Sequence, residues 1–168
     1  MLTTSVLKKG TRLILDVLGP TIEFLTSPEE ADACCMLIGT IPPGGVIPLH
    51  HHADFEDFYQ LSGTVQVISE QNGTLEWLDV TPGDFVRVPG NAKHAFRNLS
   101  NEPVVQLIVT TPRLGRFFQE LGKPFVPGAP PRKPAPDVLE HFLRVSADYG
   151  YWNASPEENA AIGISLLG

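Results

Sequence analysis

The sequence predicts an all-β sandwich or barrel with helices at its C-terminal end, and three observations lead there. Between residues 12 and 110, about ten short apolar or alternating runs follow one another roughly every ten residues, the rhythm of strands in a sandwich or barrel. The breaks between them are turn chemistry, drawn from 15 glycines and 16 prolines in 168 residues. Beyond residue 110 the apolar period changes from two to about 3.6, which is the period of a helix face.

The strand candidates, in order, are 12–18, 21–25, 33–41, 46–52, 55–62, 64–69, 74–78, 84–88, 93–97 and 104–110. Gly19-Pro20, Pro42-Pro43-Gly44-Gly45, Pro82-Gly83 and Pro89-Gly90-Asn91 separate them, because Gly and Asn accept positive φ and Pro fixes φ. Asn72-Gly73 between two runs is a hairpin signal. Ser27-Pro28-Glu29-Glu30 has the look of a helix start, but its place between strands allows a single turn. Thr111-Pro112 caps a helix bearing Leu114, Phe117, Phe118 and Leu121, and Gly122 stops it. A Pro-rich linker runs from 124 to 136. Asp137 then caps a second helix carrying Val138, Leu139, Phe142, Leu143 and Val145, which ends near Gly150. Ser155-Pro156-Glu157-Glu158 caps a short last one. Without a repeat or a second core, residues 1–112 read as the barrel. Residues 113–168 read as an extension packed on it or on a partner subunit, not as an independent domain.

Composition excludes several classes of function. Nineteen acidic against twelve basic side chains give a net charge of −7, which repels a phosphate backbone and an anionic membrane surface, so neither nucleic acid nor membrane is expected as a partner. No apolar run approaches the ~18 residues of a membrane span. Lys8, Lys9 and Arg12 precede an apolar stretch that Asp16 interrupts, with no small-residue cleavage site after it, so a cytoplasmic location is expected. Asn-x-Ser/Thr triplets at Asn72, Asn98 and Asn153 therefore carry no glycan. The neighbours Cys34 and Cys35 in an apolar run read as small packed side chains, because a vicinal disulfide would be strained.

Chemistry gathers around the histidines. Pro48-Leu49-His50-His51-His52 ends a strand candidate, and on a strand the side chains at i and i+2 share a face. His50 and His52 thus aim two imidazoles at one point, while His51 points away. Glu56 follows four residues after His52, and His94 lies on a later strand. Together they make a three-histidine, one-carboxylate set suited to one divalent transition metal per chain: Fe, Mn, Co, Ni, Cu or Zn. The sequence holds no Gly-x-Ser-x-Gly elbow, dinucleotide or phosphate loop, or CxxC pair.

Gly44, His50, His52, Glu56 and Gly63 resemble the first signature of the cupin superfamily, at its spacing. Gly83, Pro89, His94 and Asn98, in GDFVRVPGNAKHAFRN, resemble the second, with Asn91 in place of the usual glycine. Asn is a common non-Gly residue in the left-handed region, so the turn can survive the exchange. The resemblance covers roughly residues 33–112 and implies an antiparallel double-stranded β-helix, the jelly-roll or cupin barrel, with His50, His52, Glu56 and His94 as metal ligands inside it. Asp57 competes with Glu56, since the family tolerates a one-residue variation there. Glu56 is preferred because it stands seven residues before Gly63 and shares parity with Phe58 and Gln60. His51 and His141 have no motif role.

The tail, TPRLGRFFQELGKPF with a Pro-rich linker and a helix ending in ADYGY, is similar to that of single-domain cupins grouped with bacterial quercetin 2,3-dioxygenases. This implies a metal-dependent dioxygenase acting on an aromatic or enolisable small molecule, with Glu56 as the catalytic proton acceptor. Phe58, Gln60, Phe96, Met36 and Ile38 are the expected substrate-binding walls. Gln60, where many relatives carry an aliphatic residue, is expected to bring an amide near the metal. The alternatives are a non-catalytic sensor or carrier and another metal-cupin reaction, a decarboxylase, isomerase or lyase. A homodimer is expected too, with the N-terminal strand and the Leu114/Phe117/Phe118 helix as its apolar surface.

Overall fold

The computed structural model describes residues 6–71, 73–128 and 134–165. Strands β1 (Ile14–Asp16), β2 (Thr21–Phe24), β3 (Cys35–Ile41), β4 (Val46–His51), β5 (Glu56–Ser62), β6 (Val65–Gln71), β7 (Thr74–Val80), β8 (Phe85–Val88), β9 (His94–Arg97) and β10 (Val104–Thr110) fall on the ten runs of the sequence. Two short strands, β11 (Lys123–Pro124) and β12 (Trp152–Asn153), had no sequence signal, since two residues are too few to set a period. Strands β6 and β7 pair antiparallel with Gln71 opposite Thr74, as a hairpin between them requires; Asn72 of the Asn72-Gly73 signal lies outside the described residues.

Two antiparallel sheets form, in the orders β11-β1-β2-β3-β10-β5-β8 and β12-β4-β9-β6-β7. From β3 onward the chain changes sheet at almost every connection, which is the winding of a jelly roll. This alternation sets β4 and β9 in one sheet across from β5 in the other. Leu37, Ile41, Phe58, Val65, Val67, Phe96, Val104 and Ile108 fill the space between the sheets. Truncating a buried ring such as Phe96 there costs about 3–5 kcal/mol. The left-handed turn required at Asn91 is present, at φ +67°. Gly63 is needed twice over: its φ is +73°, and a Cβ would stand 2.7 Å from the Pro103 carbonyl oxygen.

Helix α1 (Pro112–Leu121) starts at Thr111, whose hydroxyl accepts the Leu114 N–H. Helix α2 (Pro136–Asp148) begins one residue before the expected cap: Ala135 is its N-cap and Asp137 sits in the first turn, because Pro136 supplies a ready-made first helical φ. Helix α3 (Pro156–Ala161) opens with a full capping box between Ser155 and Glu158. Ser27–Glu30 closes a single turn. The linker between α1 and α2 includes residues 129–133, which lie outside the described residues.

Leu114 and Phe117 pack with Val145 and Tyr151. Thus α2 and the segment after it cover Leu114 and Phe117 within one chain. Among the described residues no helix is long and apolar enough to cross a membrane.

Candidate metal centre

His50 and His94 face each other across the β4–β9 pair, His52 lies one residue past the end of β4, and Glu56 opens β5 on the opposing sheet. Their ligating atoms lie within 4.8 Å of one another, with His52, Glu56 and His94 buried and His50 partly so. His50 and His94 have ring centroids 4.1 Å apart, and His52 stands 5.5 and 5.2 Å from the two.

The outer nitrogens explain the convergence. Nδ1 of His50 donates to the Pro48 carbonyl at 2.7 Å, that of His52 to the Asp54 carbonyl at 2.9 Å, and that of His94 to the Ala92 carbonyl at 2.9 Å. A carbonyl can only accept, so each Nδ1 carries a hydrogen and each ring, when neutral, turns an Nε2 lone pair inward. Glu56 Oε2 meets Nε2 of His94 at 3.1 Å and that of His52 at 3.3 Å. Lone pairs facing one another at these distances need a proton or a cation between them. Three imidazole nitrogens and one carboxylate around one point fit a divalent transition metal.

Electrostatics agree with that donor set. Desolvation, reinforced by the neighbouring His94 and His52, pushes the His50 pKa down to about 3, so this ring is neutral. Burial opposes charge on His52, but the Glu56 carboxylate outweighs it and holds the pKa above the ordinary value. Burial likewise opposes ionisation of Glu56, yet hydrogen bonds from His52 and His94 hold its carboxyl well below the usual range.

Glu56 and Asp57 separate by strand parity. Asp57 points to the outer face, where Arg87 Nε and Nη2 hold its two oxygens at 2.9 Å each. His51 turns away from the cluster and stacks on Trp152, with centroids 5.2 Å apart and rings 21° from parallel. His141 lies on α2, in contact with Arg144. Asn98 organises a turn: its amide donates to the Ile41, Pro42 and Glu102 carbonyls.

The expected substrate walls divide. Phe58 and Phe96 pack together in the barrel interior, with centroids 4.8 Å apart. Met36 and Ile38 lie on the other face of β3, because Cys35, Leu37, Gly39 and Ile41 are its buried side. Gln60 is buried, but its amide nitrogen donates to the Ser62 and Gly63 carbonyls at 2.9 and 2.8 Å. Its amide is thus held by the turn that ends β5, one strand repeat beyond Phe58, and not at the cluster. A cleft of about 820 Å³ opens between β6–β7 and β8 and meets the cluster only at His94.

Three residues around the cluster, Asp54, Arg113 and Tyr151, were missed in the sequence, and Thr111 was read only as a helix cap. Asp54 lies between His52 and Glu56, and its carboxylate receives the Tyr151 hydroxyl at 2.5 Å, Arg113 Nη1 at 3.0 Å and the Thr111 hydroxyl. Burial works against its ionisation, but these donors hold the Asp54 carboxyl below its ordinary value. Burial and the Asp54 carboxylate push the Tyr151 hydroxyl up, so it stays a donor. The Tyr151 ring packs on the His52 imidazole at 4.9 Å. Asp54 and Tyr151 are 97 positions apart, and no local pattern links them.

Comparison with known proteins agrees with the fold and the cluster. The family model for the cupin domain matches residues 37–110, which span all four clustered residues. Acireductone dioxygenase of Bacillus subtilis (strain 168) is 38% identical over 65 residues, 37% of this chain and 36% of that protein. Its counterpart in Bacillus anthracis is 37% identical over 65 residues, again 37% of this chain and 38% of that protein. The chain thus aligns with well under half the length of these curated relatives. Among solved structures, the polyketide cyclase RemF from Streptomyces resistomycificus superposes with a TM-score of 0.56 at 21% identity, over 64% of this chain and 79% of that one. An oxalate decarboxylase of Bacillus subtilis gives 0.55 at 22% identity, over 66% and 30%. Both likenesses are of fold.

Proposed function

Since residues 37–110 are a cupin domain and its barrel holds a three-histidine, one-glutamate cluster, we propose that the protein is a metal-dependent dioxygenase acting on an aromatic or enolisable small molecule. The observation that carries this reading is the inward aim of all three Nε2 atoms beside a buried carboxylate, each fixed by a backbone carbonyl behind it. Likeness to proteins named acireductone dioxygenase supports both the reaction class and an enolisable substrate, since a reductone is such a compound.

His50, His52, Glu56 and His94 would hold one divalent ion, whose chemistry is Lewis acidity toward a substrate with adjacent oxygens. The chain does the rest. Glu56, kept ionised by its two histidine partners, is placed to take the proton of an enol or catechol hydroxyl. Phe58 and Phe96, with Ile108, form an apolar floor behind the cluster that keeps water away. The cleft that ends on His94 gives a small molecule a way in.

The test is oxygen uptake by protein loaded separately with Fe, Mn, Co or Ni and supplied with flavonols, catechols, reductones and small diketones. Uptake with at least one pairing is expected, and Glu56→Gln should suppress it more than it lowers metal content, because an amide still offers an oxygen but takes no proton. Tight ligand binding with no uptake across the panel would overturn the dioxygenase reading in favour of a sensor or carrier. Product formation without O2 would point instead to decarboxylase, isomerase or lyase chemistry.

A further inference from the structure

The stretch Leu49–Asp54 carries two of the four clustered residues, and the tail of the chain holds it along its whole length. Asn159 Oδ1 accepts the Leu49 N–H at 2.9 Å, and the Ala154 N–H donates to the Leu49 carbonyl at 2.9 Å. Strand β12 pairs with β4, setting Asn153 opposite His50 and Trp152 opposite His51. Tyr151 acts at the far end: its ring lies on the His52 imidazole, and its hydroxyl donates to Asp54, whose backbone carbonyl receives His52 Nδ1. Asp54 is also tied to the start of α1 through Thr111 and Arg113. All of these tail residues lie outside the matched cupin domain.

We infer that Tyr151 is a positioning residue for the metal centre: through ring contact with His52 and its hydroxyl bond to Asp54, it sets the direction in which His52 presents Nε2. The inference rests on the metal reading above. A histidine ligand whose outer nitrogen is held by a rigid acceptor loses less freedom on coordination, and loosening such an acceptor lowers metal affinity. In this chain the acceptor is a backbone carbonyl, so its rigidity depends on what fixes Asp54. Tyr151 and its neighbours do that from a segment about a hundred residues further along.

The experiment titrates the metal-free full chain with Co(II), read by its visible absorption, for wild type, Tyr151→Phe, Tyr151→Ala and Val145→Ala. Thermal midpoints of the metal-free proteins are measured alongside. Val145 is fully buried beneath the same helix cluster, so Val145→Ala loosens the extension without removing the contacts to Asp54 or His52. Tyr151→Phe keeps the ring and should weaken Co(II) binding by ~10-fold, and Tyr151→Ala by up to ~100-fold with altered band positions, the range seen when outer partners of metal ligands are removed. Val145→Ala should lower the thermal midpoint and leave affinity and bands unchanged. Unchanged affinity in both Tyr151 variants overturns the inference, as does a Val145→Ala loss equal to that of Tyr151→Ala. Should Tyr151→Ala fail to fold, the comparison of Tyr151→Phe with Val145→Ala decides. Failure of the wild type to bind Co(II) would overturn the metal reading itself, a result distinct from these.

Discussion

Gly90→Ala is a small change with a large expected effect. Gly90 belongs to the Pro89-Gly90-Asn91 turn that leads into β9 and His94, and this turn lies directly on the residues that follow His52. A Cβ added at Gly90 would stand 2.3 Å from the Ala53 carbonyl oxygen and 3.1 Å from its carbon. Real Cβ atoms essentially never approach closer than 3.0 Å, so the turn must retreat from Ala53 by at least 0.7 Å. The neighbour is backbone and cannot swing aside. The retreat also stretches the bond from the Asn91 N–H to the His52 carbonyl, now 2.6 Å. Overpacking of this kind costs about 1–3 kcal/mol and a weakened backbone hydrogen bond about 1 more, for a total of about 2–4 kcal/mol. Because the turn links His52 to His94, metal affinity should fall with stability. Urea unfolding of the metal-free protein and metal titration would measure the two. A stability change under about 0.5 kcal/mol with unaltered affinity would refute the steric argument, since a mutation without a named lesion stays within that range.

Three further outcomes follow from the same contacts. His50→Ala and His94→Ala should each sharply lower metal content by elemental analysis while His51→Ala should not; an equal loss from His51→Ala would contradict its outward stacking on Trp152. Asn159→Ala should cost about 2–4 kcal/mol in chemical denaturation, because the buried amide serves Leu49, Ala154 and Ser155 at once and its loss strips the Leu49 N–H and the Ala154 carbonyl of these bonds, while the Ser155 carbonyl keeps the backbone N–H of residue 159. In the metal-free protein, thermal stability should pass through a maximum near pH 6.5. Below 6.5 the unfolded chain protonates His50 while the folded chain waits until about pH 3, so stability falls on acidification by up to ~1.4 kcal/mol per pH unit. His52 has the opposite sign: its raised folded value gives stabilisation that is complete below 6.5 and is lost as pH rises through that value. His50→Gln should flatten the acid side, and an unchanged acid slope would show that His50 is not its source.

Much of the centre was legible because its logic is local. His50 and His52 share a face by strand parity alone, and the same alternation divides Glu56 from Asp57, whatever the rest of the chain does. The strand rhythm, the capped helices α1 and α3 and the left-handed turn at Asn91 likewise depend on a few adjacent residues. Other features had no such local determinant. In β3 both faces are apolar, so alternation could not tell that Leu37 turns inward while Met36 and Ile38 turn out. Gln60 obeys parity and is buried, but the direction of its amide was decided by the Ser62 and Gly63 carbonyls at the end of its own strand. That α2 and Tyr151 cover the Leu114/Phe117 stripe likewise depends on segments far along the chain. Asp54 and Tyr151 are the clearest case: a buried carboxylate needs donors, and burial is a property of the folded chain, which brings Thr111, Arg113 and Tyr151 to it from two distant segments. Sequence alone determined which donors a metal would meet; only the tertiary structure decided what holds those donors still.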